Sequence, residues 1–239
     1  MSQNVESIRC AERESHLKTY TEFELFELGS WLSKPVSTVI KYTEGLKNKT
    51  SSTIRILDLG CGVGRNAIAI ANTLNGYNVN IECIDLLDFA IEKLLLNANK
   101  FSVEDKIIGT VSSIEEYDIK PNQYDMIVAV STLEHVASKE LFVRVLENIK
   151  SGLTYNGIAC LVINSEVTEK DKATGKPMAP QFEVNYKTEE LFDVLDKAFG
   201  DCDLLEKRVV EQKYQIPRGE LVSDLKTSVV TCVFKKTIE

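Results

Sequence analysis

The sequence predicts an α/β protein built on a mostly parallel sheet, and three observations carry that expectation. Apolar strand-like runs alternate with helix-spaced segments from Ile54 to Asn164. A chain that repeats strand, helix, strand closes right-handed crossovers into a parallel sheet. "YDMIVAV" (124–130) is apolar almost throughout, as strands covered on both faces are. The last two strand-like runs, 203–213 and 227–236, are separated by only about 13 residues, too few for a crossover helix, so they are expected to pair antiparallel.

Each element has its own signal. Residues 1–50 read as a mixed, helical N-terminal cover, with Val36, Val39 and Ile40 at helix spacing after Pro35. Ile54–Leu59 is a short apolar strand, and Ala67, Ile70, Ala71 and Leu74 then fall on one helix face. Val79–Ile84 alternates as a second strand, Phe89–Asn97 is helical, and 107–111 is a weaker third strand. Leu141, Phe142, Val145, Leu146 and Ile149 make the next helical face, with Ser138 placed to cap it. "GIACLVIN" (157–164) is a fifth strand, and Leu191, Phe192, Leu195, Ala198 and Phe199 mark a last helix. Between them, residues 165–187 read as a polar loop, longer than the usual 2–6 residue connection and so a candidate lid.

Composition bounds the function. The chain has 239 residues, 44% hydrophobic and 27% charged, with a formal charge of −8. That is an ordinary globular balance, and the acidity argues against a nucleic-acid partner. No apolar run is long enough to span a bilayer, and the N-terminus lacks the apolar centre of an export signal. The six cysteines form no C-x-x-C pair. Reduced thiols and a cytoplasmic location are expected, as a monomer or homodimer.

"ILDLGCGVGRNA" is the informative stretch. Gly60, Gly62 and Gly64 alternate between a strand and a helix, at the sheet edge where open α/β folds bind ligands. A turn alone requires fewer glycines. The spacing is not G-x-G-x-x-G, because the third glycine comes one residue early and Arg65 follows it. It is not a phosphate-binding P-loop either, because no lysine follows. A ligand with a nucleoside at one end and an amino acid at the other fits a bare backbone without a phosphate signature. Asp85 ends the neighbouring strand, where a carboxylate can accept both hydrogens of a ribose diol. Asp58, two residues before Gly60, is expected to orient the loop amides or receive the ligand's ammonium, since a buried carboxylate needs a partner.

These residues, with "CIDLLDFAIEKL" and "YDMIVAVSTLEHV", resemble the class I S-adenosylmethionine-dependent methyltransferases over roughly residues 25–165. The chain is loosely similar to the tellurite-resistance-type small-molecule methyltransferases within that class. The resemblance implies a Rossmann-like three-layer α/β/α sandwich, its seven-stranded, mostly parallel sheet ending in an antiparallel last strand. It implies a methyltransferase domain over 51–239, with the lid at 165–187, and S-adenosylmethionine as methyl donor to a small-molecule acceptor. By position, Gly60, Cys61 and Gly62 would line the methionine part, Asp85 would hold the ribose, and Leu86 would cover the adenine. Ser113 and Ile114 stand where the family often has an acidic residue and its apolar neighbour. Val130 and Ser131 would end the fourth strand beside the methyl donor.

In-line methyl transfer needs alignment more than a nucleophilic side chain. His135 is the candidate proton-transfer residue, its alternative being a structural hydrogen bond in the first turn of a helix, and His16 is a weaker candidate site residue. Tyr20, Trp31 and Tyr186 are expected to wall the pocket, and Lys34 and Arg65 suit an anionic acceptor or the donor's carboxylate. Two other readings stand beside this one: a donor-binding partner subunit without catalysis, and a nicotinamide-dependent oxidoreductase, which the glycine spacing disfavours.

Overall fold

The computed structural model describes residues 3–49, 53–219 and 221–237. The expected boundary between N-terminal cover and sheet domain, at 50–51, lies outside them. Alternation produces the expected sheet. Strands β1 (Ile54–Leu59), β2 (Val79–Asp85), β3 (Ile107–Val111), β4 (Tyr124–Val130) and β5 (Leu153–Asp171) are followed by β6 (Pro177–Met178), β7 (Asp203–Arg218) and β8 (Leu221–Lys235). Their spatial order is β3-β2-β1-β4-β5-β8-β7, with β6 paired to the distal part of β5. The first five are mutually parallel. The last strand, β8, runs antiparallel to both its neighbours, as expected. Seven strands lie on the main path, and the two-residue β6 makes the count eight.

Helices α1 (Gln3–Glu22), α2 (Ser37–Gly45), α3 (Arg65–Thr73), α4 (Asp88–Lys100), α5 (Lys139–Gly152) and α6 (Thr188–Phe199) complete the layers. Strand alternation sends successive side chains to opposite faces. Ile54 and Ile56 therefore join a core with α2, α3 and α4, while Leu57 and Leu59 join a second core with α5 and α6. The Ser138 hydroxyl caps α5, accepting from the Leu141 amide at 3.2 Å. None of the described helices is long and apolar enough to cross a membrane.

The distal sheet differs from the expectation. Residues 165–171, read as the start of a loop, continue β5 and pair with β8 as far as Asp171 opposite Ser223. The two final strands are also longer than their apolar runs, forming a hairpin from Asp203 to Lys235. Together they make a three-stranded ribbon that outruns the parallel sheet. A bulge bends it: Glu166 and Val167 on β5 occupy the place opposite Thr227, and Glu166 has φ +51°. Such an extra residue locally sharpens the twist. The returning segment 184–186 pins this bulge. The Asn185 side chain bonds both the amide and carbonyl of Val167, and the Tyr186 carbonyl accepts from the Glu166 amide. At the far end the Arg218 guanidinium forks onto the buried Glu169 carboxylate, with Nε to Oε1 at 2.7 Å, and also bonds Gln181.

Candidate active site

The parallel strands end at a cavity of about 620 Å³. Its floor is the glycine bend after β1. Gly60 has φ +67°, and a Cβ there would collide with the Thr132 side chain. Gly62 has φ +54°, and its Cβ would lie 2.8 Å from the Tyr20 hydroxyl. Left-handed backbone and missing side-chain volume both require glycine at these two positions. The bend is fastened to β2, because the Gly60 and Cys61 amides donate to the Ile84 carbonyl at 2.8 and 3.0 Å.

Asp85 is fastened to the same bend. Its Oδ2 accepts the Gly62 amide at 2.8 Å, and Oδ1 accepts the Leu87 amide at 2.9 Å. Burial raises its pKa, while these two amides oppose the rise. Each carboxylate oxygen has a second lone pair, so the group can still accept from a diol in the cavity. Asp58 behaves differently. It is 1% exposed, its Oδ2 has no partner, and burial raises its pKa to about 7 despite nearby Arg65. It lies beneath the bend rather than on the cavity wall.

The expected residues largely converge. Gly60, Cys61, Gly62, Arg65, Asp85, Leu86, Ser113, Ile114, Val130 and Ser131 line the cavity, as do Tyr20, Trp31, His16 and His135. Gly64 does not: it lies behind the bend, where a Cβ would meet Leu94 at 2.5 Å, so it serves the packing of α3 on α4. Tyr186 does not either. It is buried edge-on to Phe142 in the second core, because the continuation of β5 turns the return segment inward. Lys34 lies outside the lining as well.

His135 lines the cavity but is not poised to take a proton. Its Nδ1 lies 3.1 Å from Glu183 Oε2, its Nε2 lies 3.4 Å from Glu12 Oε1, and its ring stacks on Phe182. Burial alone would lower its pKa, but Glu12, the Glu183 hydrogen bond and Glu134 outweigh burial and raise it to about 9. An imidazolium with both nitrogens engaged is a fastener between two covers, α1 and the return segment. The expected general-base role does not fit it.

Several wall residues had no signal of their own in the sequence. From α1 come Arg9 and Glu12, and from the ribbon come Arg208, Val210, Tyr214 and Val229. The alternation in "RVVEQKYQI" places Arg208, Val210, Gln212, Tyr214 and Ile216 on one face of β7, yet it does not say what that face meets.

A doubly wound sheet with a bare bend and a strand-end carboxylate at its crevice defines a nucleoside-binding α/β protein. Residues 56–157 match the methyltransferase domain family. The chain is 34% identical over 110 residues to the ubiquinone biosynthesis O-methyltransferase of Rickettsia prowazekii, a match covering 46% of this chain and 40% of that protein. The chain thus spans less than half the length of that curated relative. Among solved structures, a SAM-dependent methyltransferase of Methanosarcina mazei superposes with TM-score 0.60 at 16% identity, covering 81% of this chain and 97% of that one. TehB from Haemophilus influenzae gives 0.59 at 20% identity, covering 84% and 62%. Residues 56–157 thus carry a methyltransferase domain, for which S-adenosylmethionine is the implied cofactor. Its residues fit that cofactor: the bend admits a ligand backbone-close, Asp85 keeps lone pairs for a diol, and the buried Ser113 Oγ has no partner of its own.

Proposed function

We propose that the protein transfers a methyl group from S-adenosylmethionine to a small-molecule acceptor. The observation that carries this reading is the joint fastening of the glycine bend and Asp85 through the Gly62 amide. It holds a bare backbone and a diol acceptor in one crevice. When bound, the donor supplies a methyl group already activated on a sulfonium sulfur. Asp85 would hold the ribose, Ser113 and Ile114 the adenine edge, and the Gly60–Gly62 backbone the methionine part. The relatives' name as O-methyltransferases supports a small acceptor, and the cavity's extension from the bend onto the β7–β8 ribbon supports turnover over mere donor storage.

The chain's own contribution is alignment and exclusion of water. Tyr20 is buried, and its ring stands 5.9 Å from Trp31, which carries the Arg65 guanidinium over its face. Such aromatic faces stabilise positive charge by about 0.5–2 kcal/mol when desolvated. Holding acceptor and methyl in line is worth roughly 7–11 kcal/mol of barrier. The acceptor's lone pair would form the new bond to the methyl carbon as the carbon–sulfur bond breaks, leaving S-adenosylhomocysteine as a neutral thioether, and a hydroxyl acceptor's proton would pass to solvent. The return segment 172–187 acts as the lid in this reading, and acceptor binding is expected to protect it from proteolysis. Calorimetry tests the core of the proposal. Uptake of S-adenosylhomocysteine without uptake of NADH, followed by its release from S-adenosylmethionine in an acceptor screen, is the expected result. Absence of binding would refute it.

A further inference from the structure

The charge on the cavity wall is unevenly matched. The carboxylates lining it are all engaged. Glu12 faces His16 and His135 at 3.5 and 3.4 Å. Glu115 accepts from Arg9 at 2.8 Å and from the Ala137 amide at 2.6 Å. Asp85 accepts two backbone amides. Two lining guanidiniums, by contrast, have no carboxylate within ion-pair distance among the described residues. Arg65 donates to the Trp31 carbonyl at 3.0 Å and lies over that ring, and Arg208 donates to the Thr38 hydroxyl at 3.4 Å. Glu206, two residues before Arg208, is hydrogen-bonded by Lys41 at 2.7 Å and feels the Arg208 charge only at longer range. Two guanidiniums without a close counter-ion thus stand on the cavity of a chain whose net charge is −8.

The donor brings one carboxylate, enough for one arginine. Arg65 follows the glycine bend and is placed for it. Arg208 belongs to the other half of the cavity, as the strand register shows. Val130, Val162, Thr231 and Arg208 form one row across β4, β5, β8 and β7. At about 4.8 Å per strand, Arg208 starts roughly 14 Å from Val130 along the sheet. The next row out on the ribbon is Asn164, Val229 and Val210, and Tyr214 opposite Leu225 lies further still. These residues face the cavity. The acceptor half is therefore a wall of valines interspersed with Asn164, Gln212 and Thr231, with one cation on its row nearest the parallel sheet.

Resting on the methyltransferase reading, we infer that the acceptor is an acidic small molecule. Its apolar body lies on Val162, Val210 and Val229, and its carboxylate or phosphate is held by Arg208. An arginine suits either oxyanion, because its planar fork offers paired donors.

The test uses the full chain saturated with S-adenosylhomocysteine, whose binding is titrated first. Loss of that binding would overturn the donor reading itself, and this inference with it. Titrations then compare 2-naphthoate with 2-naphthamide, and phenyl phosphate with phenol. The acids are expected to bind at least about tenfold more tightly than their neutral partners, the usual size for a charged hydrogen bond. The arm with the larger ratio identifies the oxyanion. Arg208→Gln should abolish the preference while leaving the S-adenosylhomocysteine affinity unchanged. Equal affinity for acids and neutral partners, a preference surviving in Arg208→Gln, or binding of none of the four probes would overturn the inference.

Discussion

Replacing Asp58 with Asn should make the protein more stable in alkaline solution and leave it nearly unchanged in acid. The side chain is 1% exposed, and Oδ2 has no partner. Burial moves its titration midpoint from 3.8 to about 7. A native-state pKa raised above the unfolded value means that the folded protein binds the extra proton, so this contribution to stability is complete below pH 3.8 and lost as pH rises through about 7. At 1.36 kcal/mol per pH unit of displacement, the whole effect is about 4 kcal/mol, of which roughly 3 falls between pH 5 and 8. Asparagine keeps the shape and carries no charge, so its curve lacks this loss. Urea unfolding of both proteins at intervals from pH 5 to 8, without donor, gives the difference directly, and other titrating groups cancel in the subtraction. The gap should widen with pH by a few kcal/mol. Parallel curves, differing by less than about 1 kcal/mol in their change, would refute the claim that this carboxyl is buried against its own charge.

Other outcomes follow from the same site. Asp85→Ala removes the acceptor of the Gly62 and Leu87 amides, and should weaken S-adenosylhomocysteine binding by about 1.5–3 kcal/mol in calorimetry. Gly62→Val sets a branched side chain at φ +54° against the Tyr20 hydroxyl, so donor binding should vanish while near-native helix content persists by circular dichroism. His135 titrates at about 9, above its ordinary 6.5, so its stabilisation is full below pH 6.5 and is lost as pH rises through 9. Protection of α1 amides, measured against their intrinsic exchange rates at each pH, should fall over that window, and His135→Asn should remove that fall. Arg218→Met leaves the Glu169 carboxylate without its forked partner, and should cost about 3 kcal/mol in urea unfolding with donor affinity retained.

The glycine bend and Asp85 were legible in the sequence because their signal is local. Gly60, Gly62 and Asp85 stand at strand ends that periodicity locates, and parallel order then brings those ends together. The ribbon side of the cavity was not, for a definable reason. Residues 165–171 are polar at every position but Val167, which reads as a loop, yet they pair with β8, and alternate positions Ser165, Val167, Glu169 and Asp171 are buried. A nearly all-polar run shows no apolar alternation and so carries no strand signal of its own. Tyr186 was misplaced for the same cause, since a chain that leaves the sheet late returns along a different route. The surroundings of His135 were not legible either, because its two carboxylate neighbours, Glu12 and Glu183, are far from it in sequence.

The bulge at Glu166 and Val167 sets the parity of everything beyond it. Before it, even-numbered side chains such as Val162 and Asn164 face the cavity; after it, odd-numbered Glu169 stands on the face of Leu225. Deleting one of the two residues would restore one-to-one pairing, with Thr168 still opposite Lys226 and Glu169 still opposite Leu225, so the Arg218 fork would survive. What would go is the extra twist at the kink. The outer ribbon would then swing relative to the parallel sheet without changing which side chains it presents, so the kink sets the aim of this wall rather than its chemistry.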